Sequence, residues 1–196
     1  PDGAWVAFFS HGALRKVRVD GGAPIVVTGL PASTISHTGS WGPGDTLLYT
    51  NSGTLYRVPA SGGAPARVAV ADTGLHLLHP HILPGGRAVL VTVTPDYNVG
   101  NLGVLDLASG RVRQLGPGIA PQYAAGNLVY GSIGGELYRR PFDLERLEPT
   151  GPAEQIASGV GIGLEGLGGP GFAAAAGGAL AYHVTSCTGR LSGDAP

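Results

Sequence analysis

The sequence has little cysteine, little charge and no long apolar run. Its single cysteine, Cys187, excludes an internal disulfide and any metal site built from several cysteines. Charged residues make up only 13% of the chain, with 12 basic against 13 acidic side chains, and the largest basic cluster is residues 15–18. We therefore expect no nucleic-acid partner, because the sequence lacks the large cluster of basic residues that binds phosphate groups. No stretch approaches 18 consecutive apolar residues, so we expect no membrane segment in this chain.

Glycine and proline are abundant instead. The 35 glycines and 16 prolines make up about a quarter of the 196 residues, a level that approaches that of disordered proteins. The glycines fall at fixed points between short apolar runs, however, and 43% of the residues are hydrophobic. This pattern indicates turns in a buried, sheet-rich protein.

One unit, residues 40–70, shows the pattern in full. Turns at 42–45, 51–53 and 61–63 separate apolar stretches typical of pleated strands. The unit recurs with a step of 41 residues, because Gly12, Leu14 and Val17 precede Gly53, Leu55 and Val58 by that distance. Residues 53–59 correspond to residues 135–141 at twice this spacing. A period of about 41 with several short strands is typical of propeller blades.

The sequence therefore predicts an all-β fold: a β-propeller with about four four-stranded antiparallel blades, forming an incomplete, open part of a larger propeller. The propeller spans 1–184, in repeats of about 1–40, 41–81, 82–124, 125–170 and 171–184, and 185–196 is an irregular tail. The first repeat lacks its first strand and the last has only its opening strands. Because the sequence starts at Pro1 inside a turn motif, we expect the chain to be a piece of a longer protein.

An ordered series of segments over about 1–184 carries a resemblance to known proteins. The series includes AWVAFFSHGALRKVRVDGGAPIVV, GTLYRVPASGGAPARV, LPGGRAVLVTV and RPFDLERLEPTGPAEQI. The turn-and-strand pattern is similar to the TolB-like, WD-repeat-like propellers of bacteria. The series resembles more closely the propeller that follows the kinase domain and a membrane helix in certain bacterial serine/threonine protein kinases. The resemblance implies a sensing or protein-binding domain; the kinase catalytic residues are absent from this sequence.

The predicted first strands supply candidate channel residues. Alignment of the repeats makes Trp41, Ile82, Tyr123 and Phe172 equivalent, and these large side chains should pack between blades. The polar residues before them should face the central axis, where propellers bind ligands. His79 and His81 lie two apart and should share one face of a strand. Candidate ligand-binding residues are therefore Ser40, His79, His81 and Gln122; a channel filled only with water is the alternative.

Other candidates lie on loops. The insertion at 95–101 exposes Tyr97 among polar residues, so Asp96, Tyr97 and Asn98 are candidate partner contacts. The acidic residues of the loop at 142–151, which could include one helical turn, are expected to be solvated. Neither a nucleophile elbow nor a set of metal ligands is evident, so we expect no catalysis, no cofactor and no metal site in this fragment.

Function is accordingly expected to be binding. The leading hypothesis is a sensor or interaction domain of a membrane-anchored bacterial serine/threonine kinase, with a protein or small-molecule ligand, outside the cytoplasm. The alternatives are a TolB-like propeller of an envelope assembly and the gating propeller of a serine peptidase. Open blade faces at both ends predict self-association.

Overall fold

The computed structural model describes residues 3–31, 38–71, 74–162 and 171–184. Within these ranges the chain is all-β, apart from a single 3-10 turn at Pro43–Asp45. The strands are β1 (Trp5–Ser10), β2 (Ala13–Arg18), β3 (Ile25–Gly29), β4 (Gly39–Gly42), β5 (Thr46–Asn51), β6 (Thr54–Pro59), β7 (Ala66–Arg67), β8 (His76–Ile82), β9 (Ala88–Thr94), β10 (Asn101–Asp106), β11 (Val112–Pro117), β12 (Ile119–Ala124), β13 (Asn127–Gly131), β14 (Leu137–Asp143), β15 (Glu148–Pro149), β16 (Glu154–Ala157), β17 (Phe172–Ala174) and β18 (Leu180–Tyr182).

The strands form five antiparallel sheets in chain order. Sheet 1 is β1-β2-β3, sheet 2 is β4-β5-β6-β7 and sheet 3 is β8-β9-β10-β11. Sheet 4 is β12-β13-β14, to whose last strand both β15 and β16 pair, and sheet 5 is β17-β18. Each sheet is a meander of neighbouring strands, which is how a propeller blade is built. The prediction of an all-β, incomplete propeller is confirmed.

The repeat is visible in the strand bounds themselves. Adding 41 to the bounds of β1 and β2 gives those of β5 and β6. The hairpin between each pair of strands turns through a glycine with positive φ, at Gly12 (67°) and Gly53 (74°). Only glycine adopts this conformation without steric cost, so the turn glycines fix the hairpins.

A repeated hydrogen bond ties the equivalent hairpin turn of each of sheets 1 to 4 to a residue that follows the last strand of the sheet or lies at the start of the next sheet. In every case the carbonyl of a glycine in the turn accepts a backbone N–H from that residue. The four bonds run from Leu30 to Gly12 (2.8 Å), Leu77 to Gly53 (2.8 Å), Gly118 to Gly100 (3.1 Å) and Val160 to Gly135 (2.9 Å). These turns therefore all lie at one end of the propeller, called here the turn end.

The core lies between successive sheets. Leu47 and Leu48 are adjacent on β5 and point to opposite faces, yet both are almost fully buried. Leu47 packs towards sheet 1 and Leu48 towards sheet 3. All seven residues of β9 are buried for the same reason. Middle strands covered on both faces therefore appear in the sequence as continuous apolar runs.

One local expectation needs correction. The loop at 142–151 has no helical turn; it is a hairpin that ends in β15. Arg87 donates to the carbonyl oxygens of Leu144 (3.1 Å) and Glu145 (2.7 Å). This clamp from sheet 3 holds the hairpin of sheet 4. The predicted tail, 185–196, lies outside the described residues.

Candidate functional site

A small cavity lies where the inner strands of sheets 2, 3 and 4 meet. Its volume is about 170 Å³, and it is lined by Thr38 and Gly39, by residues 79–81 and by residues 120–122. Three of the predicted ligand-binding residues, His79, His81 and Gln122, line it. Ser40 instead lines the cleft between sheets 1 and 2.

Backbone bulges shape this cavity. His79 and Ala120 are 41 residues apart and have positive φ values of 49° and 53°. The register shifts between Leu78 and His81 on β8, and again between Ile119 and Gln122 on β12. A bulge interrupts the alternation of side chains, so spacing by two does not define a common face here. The sequence argument for a shared face of His79 and His81 therefore does not apply.

A chain of buried hydrogen bonds runs beside the cavity across three sheets. The hydroxyls of Thr38 and Thr50 are 3.0 Å apart, and the Thr38 oxygen accepts the backbone N–H of His79 at 2.9 Å. The Nδ1 atom of His79 lies 3.1 Å from Oγ1 of Thr92, which accepts the N–H of Ala120 at 2.7 Å. The side chains in this chain are all buried. Buried polar groups need such partners, so the chain holds the inner strands in register.

The sequence reasoning missed these threonines. A signal was present: Thr50 ends an apolar run and Thr92 interrupts one. A polar residue inside a fully buried strand requires a specific partner, although the sequence does not say which.

A second set of polar contacts links successive inner strands. Its members occupy the positions that sequence alignment placed beside the axis, and each side chain bonds the backbone of the following inner strand. The Ser40 hydroxyl accepts the N–H of Ile82 (3.0 Å), the His81 ring bonds the backbone of Tyr123, and the Gln122 amide donates to Phe172 (3.2 Å) and accepts from Ala174 (2.8 Å). These residues therefore join blades, and Gln122 uses both ends of its amide to do so.

The cavity is electrically neutral. Burial lowers the pKa of His79 and of His81 to about 4, so both rings are uncharged at neutral pH. No Asp, Glu, Lys or Arg is among the residues that line the cavity. Within the described ranges, no three His, Cys, Asp or Glu side chains group as metal ligands would. The chemistry available is hydrogen bonding to a neutral molecule.

His79 is the residue with hydrogen-bonding capacity to spare. Its Nδ1 atom shares a hydrogen bond with Oγ1 of Thr92, and which of the two atoms donates depends on the ring tautomer. The other ring nitrogen, Nε2, has no partner among the described residues. The ring is 6% exposed and lines the cavity.

Tyr97 was expected to be exposed, and the structure places it half-buried. Its ring stacks on His76 with 4.5 Å between centroids and packs against Leu78 and Ile119. The neighbouring Asp96 and Asn98 are exposed, and Asp96 accepts the N–H of Asn98 at 3.1 Å, which lowers the pKa of the carboxyl.

Three further apolar side chains lie in segments at the turn end, as Tyr97 does. Val99 is 55% exposed and Ile133, in the corresponding turn of sheet 4, is 53% exposed. Ile162 packs against the same cluster as Tyr97. We call these four residues the turn-end rim. Leu78 and Ile119, against which Tyr97 and Ile162 pack, directly precede His79 and Ala120 of the cavity lining.

Comparison with known proteins identifies the fold but no family. No family model matches the sequence, and no curated protein matches it. Among solved structures, TolB of Agrobacterium tumefaciens superposes with a TM-score of 0.62 at 18% identity, over 82% of this chain and 60% of that one. TolB of Acinetobacter baumannii gives 0.56 at 20% identity, over 73% and 37%. A puromycin-hydrolyzing peptidase of Mycobacterium tuberculosis gives 0.54 at 16% identity, over 81% and 28%.

These likenesses establish the fold alone. The chain is a TolB-like β-propeller in architecture, and it spans less than two thirds of the length of each of these proteins. The described ranges contain no helix that is long and apolar enough to cross a membrane.

Proposed function

We propose that this chain is a non-catalytic scaffold whose turn-end rim binds a protein partner. The observation that carries the proposal is that Val99 and Ile133 are exposed on turns at the same end of the sheet array as the half-buried Tyr97. Apolar and aromatic side chains on neighbouring loops are the usual anchors of protein interfaces. Asp96 and Asn98 would form part of the polar surroundings of this contact.

The biological role depends on which other domains accompany the propeller in the full-length protein. The sequence segments that resemble kinase-linked propellers favour a sensor domain of a bacterial serine/threonine kinase, outside the cytoplasm. An upstream kinase domain and membrane helix would support this assignment. A secretion signal with a small α/β domain upstream would favour a TolB-like envelope protein instead. A downstream α/β-hydrolase domain with a nucleophile elbow would favour a peptidase propeller.

The rim can be tested by substitution. The double variant Val99→Asp/Ile133→Asp places two charges on the rim, whereas Val19→Asp places one at a 61% exposed valine of sheet 1. Tagged chains would capture partners from envelope extracts of the source organism, and the affinity of a purified partner would then be measured. We expect the double variant to lose at least about tenfold in affinity, as anchor residues do, and Val19→Asp to bind normally. Equal binding by both variants would refute the rim as the contact surface.

The axial cavity supports a second candidate function. His79, with Nε2 available, would hydrogen-bond a small neutral ligand that also contacts His81 and Gln122. Titration of small polyols and amides, followed by ¹⁵N NMR of the histidine rings, tests this function. A saturable shift confined to His79 and His81 supports a ligand site, and equal small drifts of all rings, including His11, would indicate that the cavity holds only water.

A further inference from the structure

A cleft of about 360 Å³ lies between sheets 2 and 3. It is bordered by Pro43 and Gly86, which lie in the turns that precede β5 and β9, so it opens at the end of the array opposite the turn end. Its apolar lining belongs to the core between the two sheets and consists of Leu48, Val68, Ile82 and Leu107. We call this space the inter-sheet cleft.

Arg57 brings a positive charge to the inter-sheet cleft. It lies directly opposite Leu48 on β5, so the two side chains share the face of sheet 2 that is directed at sheet 3. Arg57 is exposed, and its side chain has no partner among the described residues. Arg67 also lines the cleft, whereas no Asp or Glu is among the lining residues. The described lining therefore carries cationic groups without a counter-ion.

The equivalent cations of two other sheets do have partners. Lys16, which lies 41 positions before Arg57, is placed over the ring of Trp5 at 4.7 Å from its centroid. Arg139, which lies 82 positions after Arg57, donates from Nε to a carboxylate oxygen of Glu154 at 2.9 Å, and its Nη2 lies 2.9 Å from the same oxygen. This position of the repeat thus holds a cation that takes an aromatic ring or a carboxylate as its partner.

Sheet 2 has the arginine but not the partner. Glu154 lies directly opposite Arg139, and the residue in the same place opposite Arg57 is Ala66. The counterpart of Trp5 is Thr46, which is too small to cover a guanidinium group. A carboxylate supplied from outside the chain could therefore take the position beside Arg57 that the Glu154 side chain takes in sheet 4. The rest of such a ligand would meet the apolar lining of the cleft.

We propose that the inter-sheet cleft binds a small ionised carboxylic acid, whose carboxylate pairs with Arg57 and whose apolar body lies against Leu48, Val68 and Ile82. The volume of the cleft lies within the usual range of pockets for small molecules, about 300–1,000 Å³. The ligand is thus a free small molecule. The cleft and the turn-end rim lie at opposite ends of the sheet array, so this proposal and the proposed protein contact fail independently.

The first test uses the intact chain and hexanoate, with hexanamide as an uncharged ligand of nearly the same shape. Isothermal titration calorimetry should show saturable binding of hexanoate, and hexanamide should bind at least about tenfold more weakly, because a charge-assisted hydrogen bond is lost. Acetate should also bind more weakly than hexanoate, since it lacks the apolar body. Binding of a capped peptide with one glutamate as tightly as hexanoate would overturn the assignment to a small molecule.

Protein variants complete the test. Ala66→Glu places in sheet 2 the carboxylate that sheet 4 has, so it should occupy Arg57 and weaken hexanoate binding at least about tenfold. Ala66→Gln is the matched uncharged control and should bind as the wild type does. Because Ala66 is exposed, we expect both variants to fold, and circular dichroism checks this.

Arg57→Gln should lose hexanoate binding as well, whereas Arg139→Gln, at the equivalent position of sheet 4, should keep it. If Arg57→Gln does not fold, the two variants of Ala66 decide alone. Absence of saturable hexanoate binding to the wild type, equal binding of hexanoate and hexanamide, or equal hexanoate binding by Ala66→Glu and Ala66→Gln would overturn the proposal.

Discussion

Acidification from about pH 7.5 to about pH 5 should destabilise this protein through two buried histidines. Burial holds the pKa of His79 and of His81 at about 4, whereas an unfolded histidine titrates near 6.5. Between those values the unfolded chain binds protons that the folded chain does not. The free energy of unfolding therefore falls as the pH decreases from about 6.5 to about 4.

The magnitude follows from the shift. Each such histidine lowers the free energy of unfolding by about 2 kcal/mol at pH 5, and by about 3 kcal/mol once the pH is well below 4. The two rings together cost about 4 kcal/mol at pH 5, if they titrate independently. Since domains of this size have total stabilities of about 5–15 kcal/mol, acid alone should remove a large share.

The assay is denaturant unfolding followed by far-UV circular dichroism at both pH values. His79→Asn keeps a polar side chain at a residue whose φ of 49° asparagine tolerates well, and it removes one titrating group. We expect it to halve the acid-induced loss. His11 is exposed and has a φ of 50°, so His11→Asn is a control matched in backbone conformation. An unchanged acid-induced loss in His79→Asn would refute the assignment to buried histidine.

Three further outcomes test the packing. Gly53→Ala should lower the melting temperature of the protein clearly more than Gly12→Ala. Both glycines have positive φ, so both substitutions strain the backbone. The added Cβ at Gly53 would in addition lie 2.6 Å from Cβ of His76, whereas that at Gly12 meets nothing within 4 Å. Thr92→Val should cost about 1–3 kcal/mol by denaturant titration, because it leaves a buried N–H unpaired, and the exposed Thr150→Val should cost little. Light scattering should show concentration-dependent self-association through the open faces of the first and last sheets; a monomer at all concentrations would contradict it.

The fold could be predicted from the sequence because its signals are local and repeated. Turn glycines such as Gly12 and Gly53, separated by 41 residues, fix where hairpins form. Apolar runs such as 88–94 fix which strands are covered on both faces. These signals predicted turns at 42–45, 51–53 and 61–63, between which β5 and β6 lie, and they marked the first repeat as lacking its first strand.

The candidate site was predictable only in part. Alignment of the repeats pointed to Ser40, His81 and Gln122; the last two line the axial cavity, as does His79, which was chosen for its spacing from His81. It did not identify Thr38, Thr50 and Thr92, because hydrogen bonds between sheets join residues far apart in the chain. Likewise, the exposure of Tyr97 depended on packing against His76, which a loop sequence does not reveal.

The sequence by itself determined the periodic order of strands and turns, since glycine positions and apolar alternation act over a few residues. Only the tertiary structure decided the geometry around the axis. The bulge at His79, the neutral state of its ring and the use of Ser40 and Gln122 as links between blades all require two sheets to be in contact. The physical reason is that burial, and with it the pKa and the demand for a hydrogen-bond partner, is a property of packed sheets and not of any single strand.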